Sequence, residues 1–209
     1  FSGTGYKITA EEEQKIEDYF FNYDFDNFKI KPSNYGKAIR LKDAIGRYSE
    51  ALKQNTYKNL DYTKLKVVLD CANGAAYKVA PEVLFEIGAE LDTLGDKPNG
   101  VNINEKCGSL FPERASKLVK KRKSDIGICL DGDGDRLIII DEKGDPIFGE
   151  ELIYILAKFY LKNKIIKKGS TIVTNEIANF GLDLSLKKIG LKLIRVKVGD
   201  KNILQEIRT

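Results

Sequence analysis

Apolar residues recur along this chain at two different periods, and the change of period divides it. Before residue 65 the spacing is helical. Thr9-Ala10-Glu11-Glu12 fits a capping box, in which Thr9 accepts from the amide of Glu12 and the Glu12 carboxylate reaches back to Thr9. It predicts a helix with Ile16, Tyr19 and Phe20 on one face. Residues 21–37 are aromatic, polar and aperiodic, and read as a connector. Leu41, Ala44, Ile45, Tyr48 and Leu52 then follow the i, i+3, i+4 pattern of an amphipathic helix over about 41–53.

From Leu65 onward, short apolar runs alternate with helical patterns. Leu65 to Leu69 reads as a buried strand, and Val79 to Ile87 as a helix stopped by Gly88. Ala89 to Leu94 reads as strand and Pro112 to Lys123 as helix. Ile126 to Leu130 and Leu137 to Ile140 are further strands, followed by a turn at Glu142-Lys143-Gly144-Asp145. Such alternation implies βαβ crossovers and an α/β fold, its mainly parallel sheet flanked by helices. One unit closes near residue 144. A second opens with a helix marked by Leu152, Ile153, Leu156, Phe159 and Tyr160, then a strand at Thr171-Ile172-Val173. A helix carrying Leu182, Leu184, Leu186 and Ile189, a strand from Leu191 to Val196 and a helix from Ile203 follow. Two strands make a weak parallel sheet alone, so this second unit reads as truncated. The expected division is a remnant over 1–40, a complete domain over 41–144 and the start of another over 145–209.

Composition narrows the chemistry. With 42% apolar residues the chain can bury real cores, and no run approaches a membrane span. Residues 10–18, AEEEQKIED, are too acidic for a signal peptide, and the opening Phe1 suggests that the native start is missing. Cys71, Cys107 and Cys129 are an odd set without CxxC spacing, which points to free thiols and a cytoplasmic location. Histidine is absent, so any metal must be held by oxygen, as Mg²⁺ or Ca²⁺ is. Lys117, Lys120, Lys121, Arg122 and Lys123 form the densest basic run. Lacking interleaved aromatics, it reads as a solvated helix face rather than a nucleic-acid site.

The chemistry concentrates in Asp131-Gly132-Asp133-Gly134-Asp135-Arg136, between two apolar strands. Three carboxylates within five residues repel one another by several kcal/mol per close pair at an effective dielectric of about 20. A divalent cation turns that repulsion into ligation, and the glycines let alternate side chains converge. An EF-hand shares acids at positions 1, 3 and 5, with Ile138 and Glu142 at positions 8 and 12. It needs glycine at position 6, where Arg136 stands, and helices rather than strands on its flanks. A haloacid-dehalogenase-type phosphatase, with its DxDx strand end, stays open as a second reading, as does a calcium-binding module.

Val68 to Pro81, reading VLDCANGAAYKVAP, carries a further pattern, as do Pro98-Asn99-Gly100, Asn102-Ile103-Asn104 and Cys107-Gly108-Ser109. With Phe1-Ser2, Gly5-Tyr6-Lys7, Ile45-Gly46-Arg47-Tyr48, the aspartate loop and Val198-Gly199-Asp200-Lys201, they cover nearly the whole chain. In this order the blocks resemble the α-D-phosphohexomutase family, its bacterial phosphoglucosamine mutases above all. One departure is Gly134, where the family usually has alanine.

The resemblance implies a phosphohexomutase domain type, with one complete and two partial domains here. It implies an isomerase that interconverts glucosamine 6-phosphate and glucosamine 1-phosphate through a phosphoserine and Mg²⁺, feeding UDP-N-acetylglucosamine and cell-wall synthesis. A phosphomannomutase or phosphoglucomutase of the same superfamily is the alternative. Asp131, Asp133 and Asp135 would hold Mg²⁺, and Arg136 would contact the transferring phosphoryl group, against the simpler role of tying the acidic loop. Gly199 and Asp200 are candidates for substrate contact. The serine and an acid/base lysine would lie upstream of Phe1, and Lys7 does not inherit the latter role. The implied partner is a small phosphosugar, with no nucleic acid or membrane. A hexose 1,6-bisphosphate activator and a homodimer are expected of the full-length protein, and the isolated segment is expected to be inactive. Asn73-Gly74, the 98–109 stretch and Gly199-Asp200 also have purely structural readings, as turn, surface loop and N-cap.

Overall fold

A computed structural model describes residues 1–24, 31–56 and 60–208. Helix α1 (Ala10–Asn22) begins as its capping box predicts. Glu12 N donates to Thr9 Oγ1 at 3.2 Å, and Thr9 N donates to the Glu12 carboxylate at 2.8 Å. The helix runs to Asn22, past the start of the expected connector at 21, and residues 25–30 of that connector lie outside the described residues. Its predicted apolar face, Ile16, Tyr19 and Phe20, is exposed. Helix α2 (Ala44–Gln54) starts three residues later than expected, and only Ser49 on it is buried. An ion pair from Lys53 to Glu86 at 2.5 Å joins α2 to the next helix, α3 (Val79–Glu86).

The first sheet holds β1 (Lys66–Asp70), β2 (Glu90–Leu94), β3 (Ile126–Leu130), β4 (Leu137–Ile140) and β5 (Pro146–Ile147), in the order β2-β1-β3-β4-β5. β1 pairs in parallel with β2 and β3, whereas β4 and β5 run antiparallel. The sheet is therefore mixed. The short 131–136 link forces the reversal, since a parallel return needs a crossover of a dozen or more residues. β5 is an element that periodicity does not reveal, because two residues have no period.

Side-chain alternation fills both faces. Val68, Cys129 and Ile140 form one core cluster with Ala115 and Val119 of α4 (Glu113–Arg122). Gly127 lets α4 approach: a Cβ there would lie 2.9 Å from both Val119 Cγ2 and Ile140 Cβ. Val67 and Leu69, equally buried, point the other way. The basic residues of α4 are exposed, Arg122 pairing with Asp92 at 3.1 Å. All three cysteines are buried free thiols. Burial pushes Cys71 and Cys129 up to about 12.

Beyond β5, α5 (Gly149–Lys162) and α6 (Phe180–Lys188) cover a two-stranded parallel sheet of β6 (Thr171–Asn175) and β7 (Lys192–Val196). Its core joins Ala157, Leu182, Leu186 and Leu191, with Ile153, Tyr154 and Leu161 packed against them. The buried stripe of α5 is thus rotated from the expected one, and Leu156 is exposed. Leu184 likewise faces solvent. Helix α7 (Asp200–Arg208) opens three residues before the expected start. It meets the N-terminal segment through Lys7–Asp200 and Lys201–Glu13 ion pairs, both 2.6 Å. No helix among the described residues is long and apolar enough to cross a membrane.

Candidate metal centre

Strand order places the site. The chain goes from β1 out to β2, then crosses back past β1 to β3. The loops leaving β1 and β3 therefore depart at the carboxyl edge of the sheet, where such a reversal opens a crevice. After β1 the backbone takes two left-handed residues, Ala72 (φ 54°) and Asn73 (φ 50°). The buried Asp70 holds this turn, its Oδ1 accepting from Ala72 N at 2.9 Å. The other oxygen, Oδ2, has no partner.

The aspartate loop lies directly against that turn. Ala75 N donates to Gly132 O at 2.8 Å, and a Cβ on Gly74 would fall 2.2 Å from the same oxygen. On the other side sit Ile103 and Asn104, whose side chains come within 2.8 Å of where a Gly132 Cβ would stand. At Gly74 the space for a side chain is taken by the Gly132 backbone, and at Gly132 by the ends of the Ile103 and Asn104 side chains. Gly134 serves differently, taking φ +74° while its amide donates to Asp131 O at 3.2 Å.

The three aspartates converge: one carboxylate oxygen from each of Asp131, Asp133 and Asp135 lies within 4.8 Å of the others. They form the one such cluster of potential ligands among the described residues. Asp131 is buried at 1% exposure, while Asp133 and Asp135 are open to solvent. Arg136 fixes the buried member: its amide donates to Asp131 Oδ1 at 3.0 Å and its Nε to Oδ2 at 2.7 Å. Burial works to raise the Asp131 pKa, but these two hydrogen bonds and the guanidinium charge outweigh it and hold the carboxyl below its usual range. Desolvation and the charges of Asp133 and Asp131 push Asp135 the other way. Arg136 Nε also lies 3.5 Å from Asp135 Oδ1, and the side chain as a whole is 61% exposed. It therefore ties the loop inward through Nε and leaves much of its guanidinium in water.

These residues fit a hard divalent cation. Every donor is a carboxylate oxygen, the two outer ones are free to rotate, and the innermost is held ionised. The three oxygens already lie within 4.8 Å of one another, and rotation of the two outer side chains would draw them in toward a common ion with the short oxygen distances Mg²⁺ requires, about 2.0–2.1 Å. The remaining sequence candidates, Gly199 and Asp200, stand in the second unit at the start of α7. Asp200 is paired there with Lys7, and that ion pair together with the backbone amides of Lys201 and Asp200 holds its carboxyl below the usual range. Asn73 and Asn104 gained no particular role from the sequence. The signal available was the Asn-Gly pair after an apolar strand, which by itself reads as a turn.

Comparison with known proteins agrees with this picture. Residues 46–144 match the phosphoglucomutase/phosphomannomutase α/β/α domain II, and residues 148–209 match domain III of the same family. A phosphoglucosamine mutase of Geobacter metallireducens is 47% identical over 207 residues, covering 99% of this chain and 46% of its own length. One from Zymomonas mobilis is 44% identical, covering 100% of this chain and 46% of its own. The chain thus spans about half the length of the curated relatives it matches. Among solved structures, a phosphoglucomutase/phosphomannomutase family protein from Burkholderia thailandensis superposes with a TM-score of 0.75 at 21% identity, covering 96% of this chain and 42% of that one. An N-acetylphosphoglucosamine mutase from Aspergillus fumigatus, in complex with GlcNAc-6P and magnesium, gives 0.54 at 18% identity over 78% of this chain and 36% of its own. At those identities the structures speak to the fold alone. With two consecutive domains of one family matched in order, and relatives at 44–47% identity across its length, the chain belongs to the phosphoglucomutase/phosphomannomutase family of α-D-phosphohexomutases.

Proposed function

We propose that residues 1–209 form the metal-binding portion of a phosphoglucosamine mutase, an enzyme that interconverts glucosamine 6-phosphate and glucosamine 1-phosphate through a phosphoserine. The observation that carries the reading is the convergence of Asp131, Asp133 and Asp135 within 4.8 Å at the carboxyl edge of the sheet, in a chain of this family. The amino sugar is favoured over mannose or glucose because the relatives at 44–47% identity are phosphoglucosamine mutases. The fungal relative's magnesium and GlcNAc-6P support the same cofactor and ligand class. The phosphatase and calcium-module readings lose their ground once both domains are accounted for.

Asp131, Asp133 and Asp135 would hold Mg²⁺, which supplies positive charge against phosphoryl oxygens during transfer. Asp131, itself buried, is poised for this by its part-buried hydrogen bonds from Arg136. The exposed part of the Arg136 guanidinium, planar and always charged, is suited to grip a phosphoryl group that approaches the loop. Gly199 and Asp200 are assigned to a substrate-facing loop, with Lys7 holding Asp200 in place. A hexose 1,6-bisphosphate activator and a homodimer belong to the same proposal for the longer protein.

The test is to express the full coding region and assay interconversion of the two glucosamine phosphates. Activity that requires Mg²⁺ and serine phosphorylation is expected, and Arg136→Ala should lower kcat more than it raises KM. A preference for mannose or glucose phosphates would overturn the substrate assignment.

A further inference from the structure

Outside the aspartate loop, one side chain joins every segment that grips it. Asn73 stands in the left-handed region, and its backbone amide donates to Gly95 O at 2.6 Å. Its side chain reaches both ends of the loop that follows β2: Oδ1 accepts from Lys97 N at 3.1 Å, and Nδ2 donates to Asn102 O at 3.2 Å. Two residues beyond Asn102, Asn104 N donates to Ala72 O at 2.9 Å, which brings the Ile103 and Asn104 side chains onto Gly132. Gly132 is thereby held from two sides, by Gly74-Ala75 and by Ile103-Asn104. It is the residue between Asp131 and Asp133. A shift of either wall moves two of the three carboxylates relative to each other.

We infer that Asn73 is a positioning residue for the metal centre: without touching the carboxylates, it locks the 95–104 loop to the turn after β1 and so sets the spacing of Asp131 and Asp133. The inference rests on the metal-binding reading above. Its chemical logic is that of outer hydrogen-bonding partners, whose loss typically weakens metal affinity by about 10–100-fold. Asparagine suits the position twice over. It tolerates positive φ, and its amide is both donor and acceptor.

The experiment uses the 209-residue chain with three substitutions. Asn73→Gly keeps the left-handed backbone and removes every side-chain bond, including a 3.8 Å contact from Nδ2 to Cys107 Sγ. Asn73→Asp keeps the acceptor for Lys97 N and removes the donor. Leu186→Ala weakens the second unit's core and serves as a control for general destabilisation. Hydrogen exchange at the amides of Gly134 and Arg136, both bonded to Asp131, reports on the loop without any metal. These amides are expected to exchange at least about tenfold faster in Asn73→Gly, with Asn73→Asp between it and wild type, and Mg²⁺ affinity by calorimetry should fall by about 10–100-fold. The control should change neither loop exchange nor affinity. Wild-type exchange at both amides in Asn73→Gly would overturn the inference, whatever its Tm. A wild-type chain that takes up no Mg²⁺ would refute the metal reading, while the exchange comparison would still decide the role of Asn73.

Discussion

Replacing Gly74 by alanine adds one methyl group, and the structure says where it must go. The position has ordinary extended backbone (φ −102°, ψ −164°), so alanine meets no conformational penalty there. The cost is steric alone. The new Cβ would stand 2.2 Å from Gly132 O, 2.6 Å from Gly132 Cα and 2.7 Å from Gly132 C. All three are backbone atoms of the aspartate loop, and no side-chain rotation relieves them. Overpacking of this kind costs about 1–3 kcal/mol. Separating the loops also breaks the 2.8 Å bond from Ala75 N to Gly132 O, adding about 1 kcal/mol. The sum, about 2–4 kcal/mol, corresponds to a fall in Tm of roughly 5–15 °C for a chain of this size. Gly46→Ala is the matched comparison. The same methyl in helix α2 meets nothing within 4 Å. Alanine there should raise stability by up to about 1 kcal/mol through helix propensity. Thermal unfolding followed by circular dichroism, paired with Mg²⁺ calorimetry, reads both variants. Gly74→Ala with a wild-type Tm and wild-type Mg²⁺ affinity would refute the claim that the two loops are clamped together. So would an equal loss from Gly46→Ala.

Four further outcomes are expected. Asp133→Ala should abolish Mg²⁺ binding and leave far-UV circular dichroism unchanged, because the residue is exposed and supports no packing; calorimetric binding that survives it would remove the metal site. The buried thiols should resist alkylation until the chain unfolds, and stoichiometric labelling of native protein at pH 8 would contradict their burial. Because burial raises Cys71 and Cys129 to about 12, the folded state keeps protons that the unfolded state loses above about 8.5. Stability should therefore be constant with respect to these groups below pH 8.5 and fall by up to about 1.4 kcal/mol per pH unit per thiol between there and 12, read by urea unfolding. Taking residues 41–144 as the complete domain, hydrogen exchange should be slowest between Leu65 and Ile140, where the fully buried strands lie; equal or greater protection over 150–209 would contradict that division.

The amino-acid sequence determined what depends on neighbours a few positions apart. The Thr9 cap, the strand limits of Ile126–Leu130 and Leu137–Ile140, and the crowding of three aspartates in five residues are all local, and all stand where the pattern puts them. The candidate metal loop is legible because its three carboxylates come from one short segment, where their mutual repulsion marks them out. The cradle around it is not local. Gly74 meets Gly132 across 58 positions, and Asn73 bonds to Asn102 across 29. No period or propensity encodes such a contact; it exists because β1 lies beside β3 with the connection through β2 between them. The same holds for Arg136, whose inward tie to Asp131 follows from the turn that Gly134 permits and from the burial of one carboxylate among three. Tertiary structure also decided which helix faces are covered. Ile16, Tyr19 and Phe20 share a face by spacing, yet they are exposed, because periodicity says which residues lie together and only packing supplies what they lie against.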